Sequence, residues 1–142
     1  MTTSEQINEI ATALVKAQGS MKNAALNKVN PHFKSKYADL ASVWDVVREP
    51  FTSEGLSIVQ LPVKAPEGHV GLGTCLYHSS GQSIGGEFFL ALKDASNPQV
   101  AGSALTYMKR YALLGVAGIA PEDDDGNAAS SGGAKPTGPG GV

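Results

Sequence analysis

The chain has 142 residues, enough for one domain with a real hydrophobic core and too few for two comfortable ones. With 42 % apolar and 17 % charged residues it has an ordinary globular balance, and its longest apolar run, the nine residues Ala112 to Ala120, falls far short of a membrane span. A formal net charge of −2 excludes a uniformly basic protein, and a lone cysteine, Cys75, excludes an intrachain disulfide or a cysteine-rich zinc site.

The first expected element is a helix from Thr3 to about Leu26. Ile7, Ile10, Ala11, Leu14, Val15, Gln18 and Met21 recur at helical intervals, and Thr3 with Gln6 offers a capping box. Asn30-Pro31 breaks the pattern, because a residue before proline avoids the α region. A short aromatic and basic stretch follows, His32-Phe33-Lys34-Ser35-Lys36-Tyr37. Asp39 is a good N-cap for a second helix whose buried stripe would be Leu40, Val43, Val47 and Phe51, ending at Ser53-Glu54-Gly55.

Three strands are expected next, Leu56 to Val63, Val70 to His78 and Ser83 to Leu92, joined by a Pro66/Gly68 loop and a Ser79-to-Gln82 turn. Val70, Leu72 and Leu76 fall on one face of the second strand, and Ile84, Phe88, Leu90 and Leu92 on one face of the third. Asn97-Pro98 then starts a helix that should run to Val116 or Gly118. Its small residues Ala101, Gly102, Ala104, Ala112 and Gly115 would permit close packing. The predicted fold class is therefore α+β: N-terminal helices, a three-stranded antiparallel meander, and a long helix packed on it. Beyond Asp125 the chain turns to Gly, Ala, Ser and Pro, with five glycines and two prolines between Ser131 and Val142. We expect residues 1–128 to form one domain and 129–142 a disordered tail.

Charge placement says more than net charge. Four of the thirteen acidic residues are consecutive, Glu122 to Asp125, and Lys135 lies beyond them; Met1 to Pro121 thus carries nine acidic against ten basic residues. A local basic stripe is compatible with that balance. The N-terminus has neither a basic leader nor a cleavage-site pattern, which together with the single cysteine leads to an expected cytoplasmic location.

Two segments carry candidate binding residues. Lys34, Lys36 and Tyr37 combine cations and an aromatic just before a helix start, the mixture that holds single-stranded phosphates and stacks bases. The same loop also fits a solvated linker with Phe33 or Tyr37 turned into the core. In the last helix Gln99, Ser103, Thr106 and Arg110 recur on one face, with Tyr107 and Lys109 flanking it, which suits phosphate contacts. An ordinary polar face of an amphipathic helix has the same spacing, and Leu105, Met108 and Tyr111 are expected in the core. Trp44, beside Val43 and Val47, is expected in the core as well. The acidic run 122–125 could hold a divalent cation for a nuclease, but consecutive carboxylates diverge and do not match a spaced calcium loop. There is no phosphate-binding glycine loop followed by Lys-Ser/Thr, and no nucleophile–histidine–acid arrangement.

Taken in order, the segments resemble a known family. Asn30-Pro-His-Phe-Lys-Ser-Lys-Tyr-Ala-Asp-Leu-Ala-Ser-Val-Trp44, continuing through Pro50, Gly55-Leu56 and Gln60, is similar to the first signature of the Erf (essential recombination function) family of phage proteins. Gly102-Ser-Ala-Leu-Thr-Tyr-Met-Lys-Arg-Tyr-Ala-Leu-Leu, then Gly118-Ile119 and Asp123-Asp-Asp-Gly126, resembles the second. The resemblance covers about Ile7 to Ala129. It implies pairing of complementary single-stranded DNA during phage recombination in a bacterial host, without ATP or another cofactor and without catalysis of bond chemistry. It also implies a homo-oligomer, ring or filament, with a host or phage single-strand-binding protein as a candidate partner, and a β-β-β-α core related to that of the Rad-type annealing proteins. Carried over residue by residue, the DNA-binding candidates are Lys34, Lys36, Tyr37, Ser103, Thr106, Tyr107, Lys109 and Arg110. Longer members carry a further C-terminal region, so a shortened chain, or a partner function that is missing or handled differently, is expected here. A metal-dependent nuclease and a non-annealing single-strand coating protein are the alternatives.

Overall fold

The computed structural model describes residues 1–23, 28–29, 36–37 and 39–120, with backbone alone at 28, 29, 36 and 37. Its elements in chain order are β1 (Thr2–Thr3), α1 (Asn8–Ser20), β2 (Lys28–Val29), β3 (Lys36–Tyr37), α2 (Leu40–Ser53), β4 (Leu56–Val63), β5 (His69–His78), β6 (Ser83–Ala91) and α3 (Pro98–Ala117). Lys34, the Asn30-Pro31 break, the acidic run 122–125 and the 129–142 tail lie outside the described residues.

The meander forms as the alternation predicts. β4 pairs antiparallel with β5 from Leu56↔His78 to Val63↔Gly71, and β5 with β6 from His69↔Ala91 to Tyr77↔Ser83. The sheet has four strands rather than the expected three, in the order β1-β6-β5-β4. The fourth is Thr2–Thr3, which pairs with Gly85 and Ile84. Ser4 extends the tie, its backbone N–H donating to the Ser83 carbonyl at 2.9 Å and its hydroxyl oxygen accepting from the Ser83 N–H at 2.9 Å. Two polar residues have no hydrophobic period, so backbone pairing alone makes this strand. A separate two-stranded ribbon, β2 with β3, pairs Lys28 with Tyr37 and Val29 with Lys36.

The three helices pack on one face of the four-stranded sheet. Ile10, Ala13 and Ala17 of α1, Val43, Val47 and Phe51 of α2, Leu56 and Leu76 of the sheet, and Leu113, Leu114 and Ala117 of α3 form one buried cluster. The α2 stripe is the predicted one, and Asp39 caps it by accepting from the Ser42 N–H at 2.9 Å. α1 departs from expectation at both ends. It begins at Asn8 because Thr2–Thr3 is drawn into the sheet, and it stops at Ser20. Its buried face is Ile10/Ala13/Ala17, while Val15 is 73 % exposed.

Glutamine side chains lock the layers together. Gln82, in the β5–β6 turn, accepts the Glu9 and Ile10 N–H groups on its Oε1, both at 2.9 Å, and donates to Asn8 Oδ1. It thereby does from across the fold what the expected Thr3–Gln6 box does not, satisfying the unpaired donors of a helix start. Gln18 donates to the Ala117 carbonyl at 3.2 Å, at the end of α3. Gln60 donates to Thr74 Oγ1 at 3.1 Å and to the Lys109 carbonyl at 3.2 Å, holding α3 against β4.

Candidate nucleic-acid interface

α3 starts and stops where its sequence dictates. Asn97 Oδ1 accepts from the N–H groups of Gln99 and Val100 at 2.9 and 3.3 Å, with Pro98 at the first helical position. Gly118 closes it at φ 72°, a left-handed conformation that only glycine adopts cheaply. A Cβ there would also stand 2.5 Å from Gln18 Nε2.

Between those ends the helix has a wet face and a dry one. Ala104 and Met108 are buried, Leu105 and Ala112 half-buried, and Gln99, Ser103, Thr106 and Tyr107 exposed. At about 100° per residue, Ser103, Tyr107 and Arg110 share one side of the cylinder and Thr106 adjoins it. Lys109 does not: its carbonyl is held by Gln60 of β4, so its backbone lies on the sheet side and the residue is half-buried. Thr106 donates its hydroxyl proton to the Gly102 carbonyl at 3.2 Å, which leaves the oxygen only as an acceptor. Gly102 and Gly115 are exposed and serve no close approach among the described residues.

Tyr111 is the principal correction on this helix. Expected in the core, it is 47 % exposed, beside Tyr107 at 46 %. The two rings lie 4.6 Å apart between centroids, tilted by 54°, and the Arg110 guanidinium carbon sits 4.8 Å from the Tyr111 ring centre. The arginine and the two rings form one continuous patch, an arginine–aromatic stack of the kind that holds a cation in place. Partial burial, and then the neighbouring Tyr111, push the Tyr107 phenol above its ordinary range; Arg110 opposes them. The phenol is therefore neutral around pH 7 and offers a donor proton and an uncharged face. The i, i+4 spacing of Tyr107 and Tyr111 was the available signal; the apolar neighbours of Tyr111 disguised it.

Lys36 and Tyr37 lie on the β2–β3 ribbon, opposite Val29 and Lys28 in the backbone register. Within the first signature, these two residues thus lie on a strand rather than in a plain loop. The continuation of that signature on α2 supplies a pair that the sequence reading did not single out: Arg48 lies over the Trp44 ring, 4.7 Å from its centre. Trp44 is half-buried against the core, and Arg48 is exposed. They line a small cleft of about 90 Å³ with Phe51, Leu56, Ser57 and Ile58 at the β4 end. Asp45 and Glu49 are exposed on the same helix, so α2 is not a basic helix. α3 is: Lys109 and Arg110 are the only charged residues between Pro98 and Ala117. Among the described residues no group of three His, Cys, Asp or Glu is placed to hold a metal, and no helix is long and apolar enough to cross a membrane.

No curated protein and no solved structure matches the chain. The sequence model of one family does, over residues 10–138, a span that contains both signature segments and nearly the whole fold. By that match the chain belongs to the ERF superfamily, a family associated with phage recombination and single-strand annealing.

Proposed function

We propose that this protein binds single-stranded DNA and anneals complementary strands without ATP, in phage recombination within the bacterial cytoplasm. The observation that carries the reading is α3: a helix with two cations and no acid, whose exposed side presents Ser103, Tyr107, Arg110 and Tyr111 together. Annealing requires a strand held by its backbone with base edges left free. Arg110 and Ser103 suit phosphate contacts, and the Tyr107–Tyr111 pair suits stacking, which is indifferent to sequence. Lys36 and Tyr37 on the β2–β3 ribbon, with Lys34 close to them in sequence, supply a second line of contacts, with Lys109 and Thr106 at the margins of the first. A homo-oligomer, ring or filament, repeats these elements into a continuous track, so a nearly neutral protomer still binds a polyanion. A single-strand-binding protein is the partner that would present the strand, and the β4-β5-β6-α3 succession is the counterpart of the Rad-type β-β-β-α core. No bond chemistry is assigned to any residue.

The test is binding of a fluorescent single-stranded oligonucleotide by the Lys34→Glu/Lys36→Glu/Arg110→Glu variant. Loss of binding with an unchanged circular-dichroism spectrum is expected; undiminished affinity in the folded variant contradicts the assignment. Binding by the unaltered chain should weaken with salt at a log–log slope of roughly −0.7 per phosphate contact.

A further inference from the structure

The helices cover one face of the sheet, and the opposite face carries a set of apolar side chains that no described residue covers. In register its rows are Ser57–Tyr77–Ser83, Val59–Cys75–Gly85, Leu61–Gly73–Glu87 and Val63–Gly71–Phe89. Leu61 is 61 % exposed, Tyr77 45 %, Val59 41 % and Phe89 40 %. Between them runs a trough of about 280 Å³ whose floor is Gly73, Cys75 and Gly85. Scattered exposed apolar residues are ordinary, but a contiguous apolar sheet face is not.

We propose that this face is a self-association surface, on which a second copy of the chain stacks back to back about a two-fold axis. Three observations select that occupant. First, no Lys or Arg lies in the four rows and Glu87 is the single carboxylate, so the face offers nothing to a phosphate backbone or an acidic peptide. Second, residues 121–142 contain no apolar side chain larger than valine or proline, a composition that matches an apolar trough poorly. Third, the rows complement themselves. A two-fold axis across the strands, between the Val59 and Leu61 rows, sets Val59 of each copy against Leu61 of the other. The same operation places Cys75 over Gly73, Tyr77 over Gly71 and Phe89 over Ser83, large against small at each end, as an isologous contact requires.

The dimensions agree with a modest interface. Strands of this length and spacing cover about 27 Å by 15 Å, and two such faces with side-chain relief approach the ~1,000 Å² in total at which specific association begins. The edges point the same way. The Ser79 N–H donates to the Gly55 carbonyl, and alternation from that pair turns the Pro62 nitrogen away from β5, to the free edge of β4. A proline there blunts extension of the sheet by further strands and leaves stacking as the open mode. This contact is distinct from the α3 face and independent of what α3 binds.

Sedimentation velocity of the pure chain across a concentration series tests it. The unaltered chain should show reversible, concentration-dependent mass, and Leu61→Glu should lower the limiting mass two-fold, whether the species so divided is a dimer or a larger paired assembly. Val15→Glu, equally exposed but on α1, should leave the mass unchanged. Should Leu61→Glu alter the far-UV spectrum, Leu61→Ser carries the same expectation. A monomeric unaltered chain, an unchanged mass in the folded Leu61 variant, or an equal fall with Val15→Glu would each overturn the proposal.

Discussion

At the scale of single residues, the molecule uses one side-chain type for joints and another for its exposed helix face. Gln18, Gln60 and Gln82 each reach across to the backbone of a different element, and none of these long-range bonds has a local sequence signature. Tyr107 and Tyr111, by contrast, are both exposed, the second of them where a core residue was expected. Their coupling is measurable without any ligand. In an ultraviolet pH titration Tyr77 and Tyr107 should both ionise above the ordinary phenol range, and Tyr111→Phe should bring the Tyr107 transition alone part of the way back, because burial of Tyr107 remains. Ionisation of Tyr107 at the ordinary value in the unaltered chain would separate the two rings. If the pair stacks bases, Tyr107→Ala/Tyr111→Ala should weaken single-strand binding by about 1–3 kcal/mol per base lost from the stack. The salt slope should hardly change, since no phosphate contact is removed.

At the scale of elements, what was legible in the sequence depended on the range of the interaction. α2, the three long strands and α3 were all readable, because caps and hydrophobic periods act within a few residues: Asp39, Asn97-Pro98 and Gly118 define ends, and Val43/Val47/Phe51 a face. The start of α1 was not. Thr3 and Gln6 resemble a capping box, but Thr2–Thr3 gains partners in β6, and the helix is capped instead by a side chain 73 residues away. The β2–β3 ribbon was equally hidden, since two-residue strands have no period to detect. Gln82→Ala should therefore cost about 1–2 kcal/mol by leaving two helix donors unmet, lowering the melting midpoint by roughly 4–10 °C. Calorimetry on that variant decides whether the turn truly anchors α1; an unchanged midpoint would mean solvent caps the helix as well. On the site, the helix-face spacing set Gln99, Ser103, Thr106 and Arg110 on one face with Tyr107 and Lys109 flanking it. It placed Tyr111 in the core, because spacing alone does not say which side of a helix meets the sheet.

At the scale of the whole molecule, the fold separates its surfaces by chemistry. The helices shield one face of the sheet, α3 turns a cationic and aromatic side outward, and the far face of the sheet is apolar and free of cations. A protomer with near-balanced charge cannot hold a long polyanion by its net field, so the reading demands local contacts repeated through assembly. In the proposed reading those contacts come from the two signature segments of this ERF-superfamily chain, the second of which lies on α3. The most direct measurement is the rate at which two complementary oligonucleotides pair, followed by fluorescence quenching, with the purified chain present and ATP absent. The account predicts pairing faster than in the protein-free control, an acceleration abolished by Lys34→Glu/Lys36→Glu/Arg110→Glu. Pairing slowed below the protein-free rate would contradict it and mark the chain as one that coats single strands.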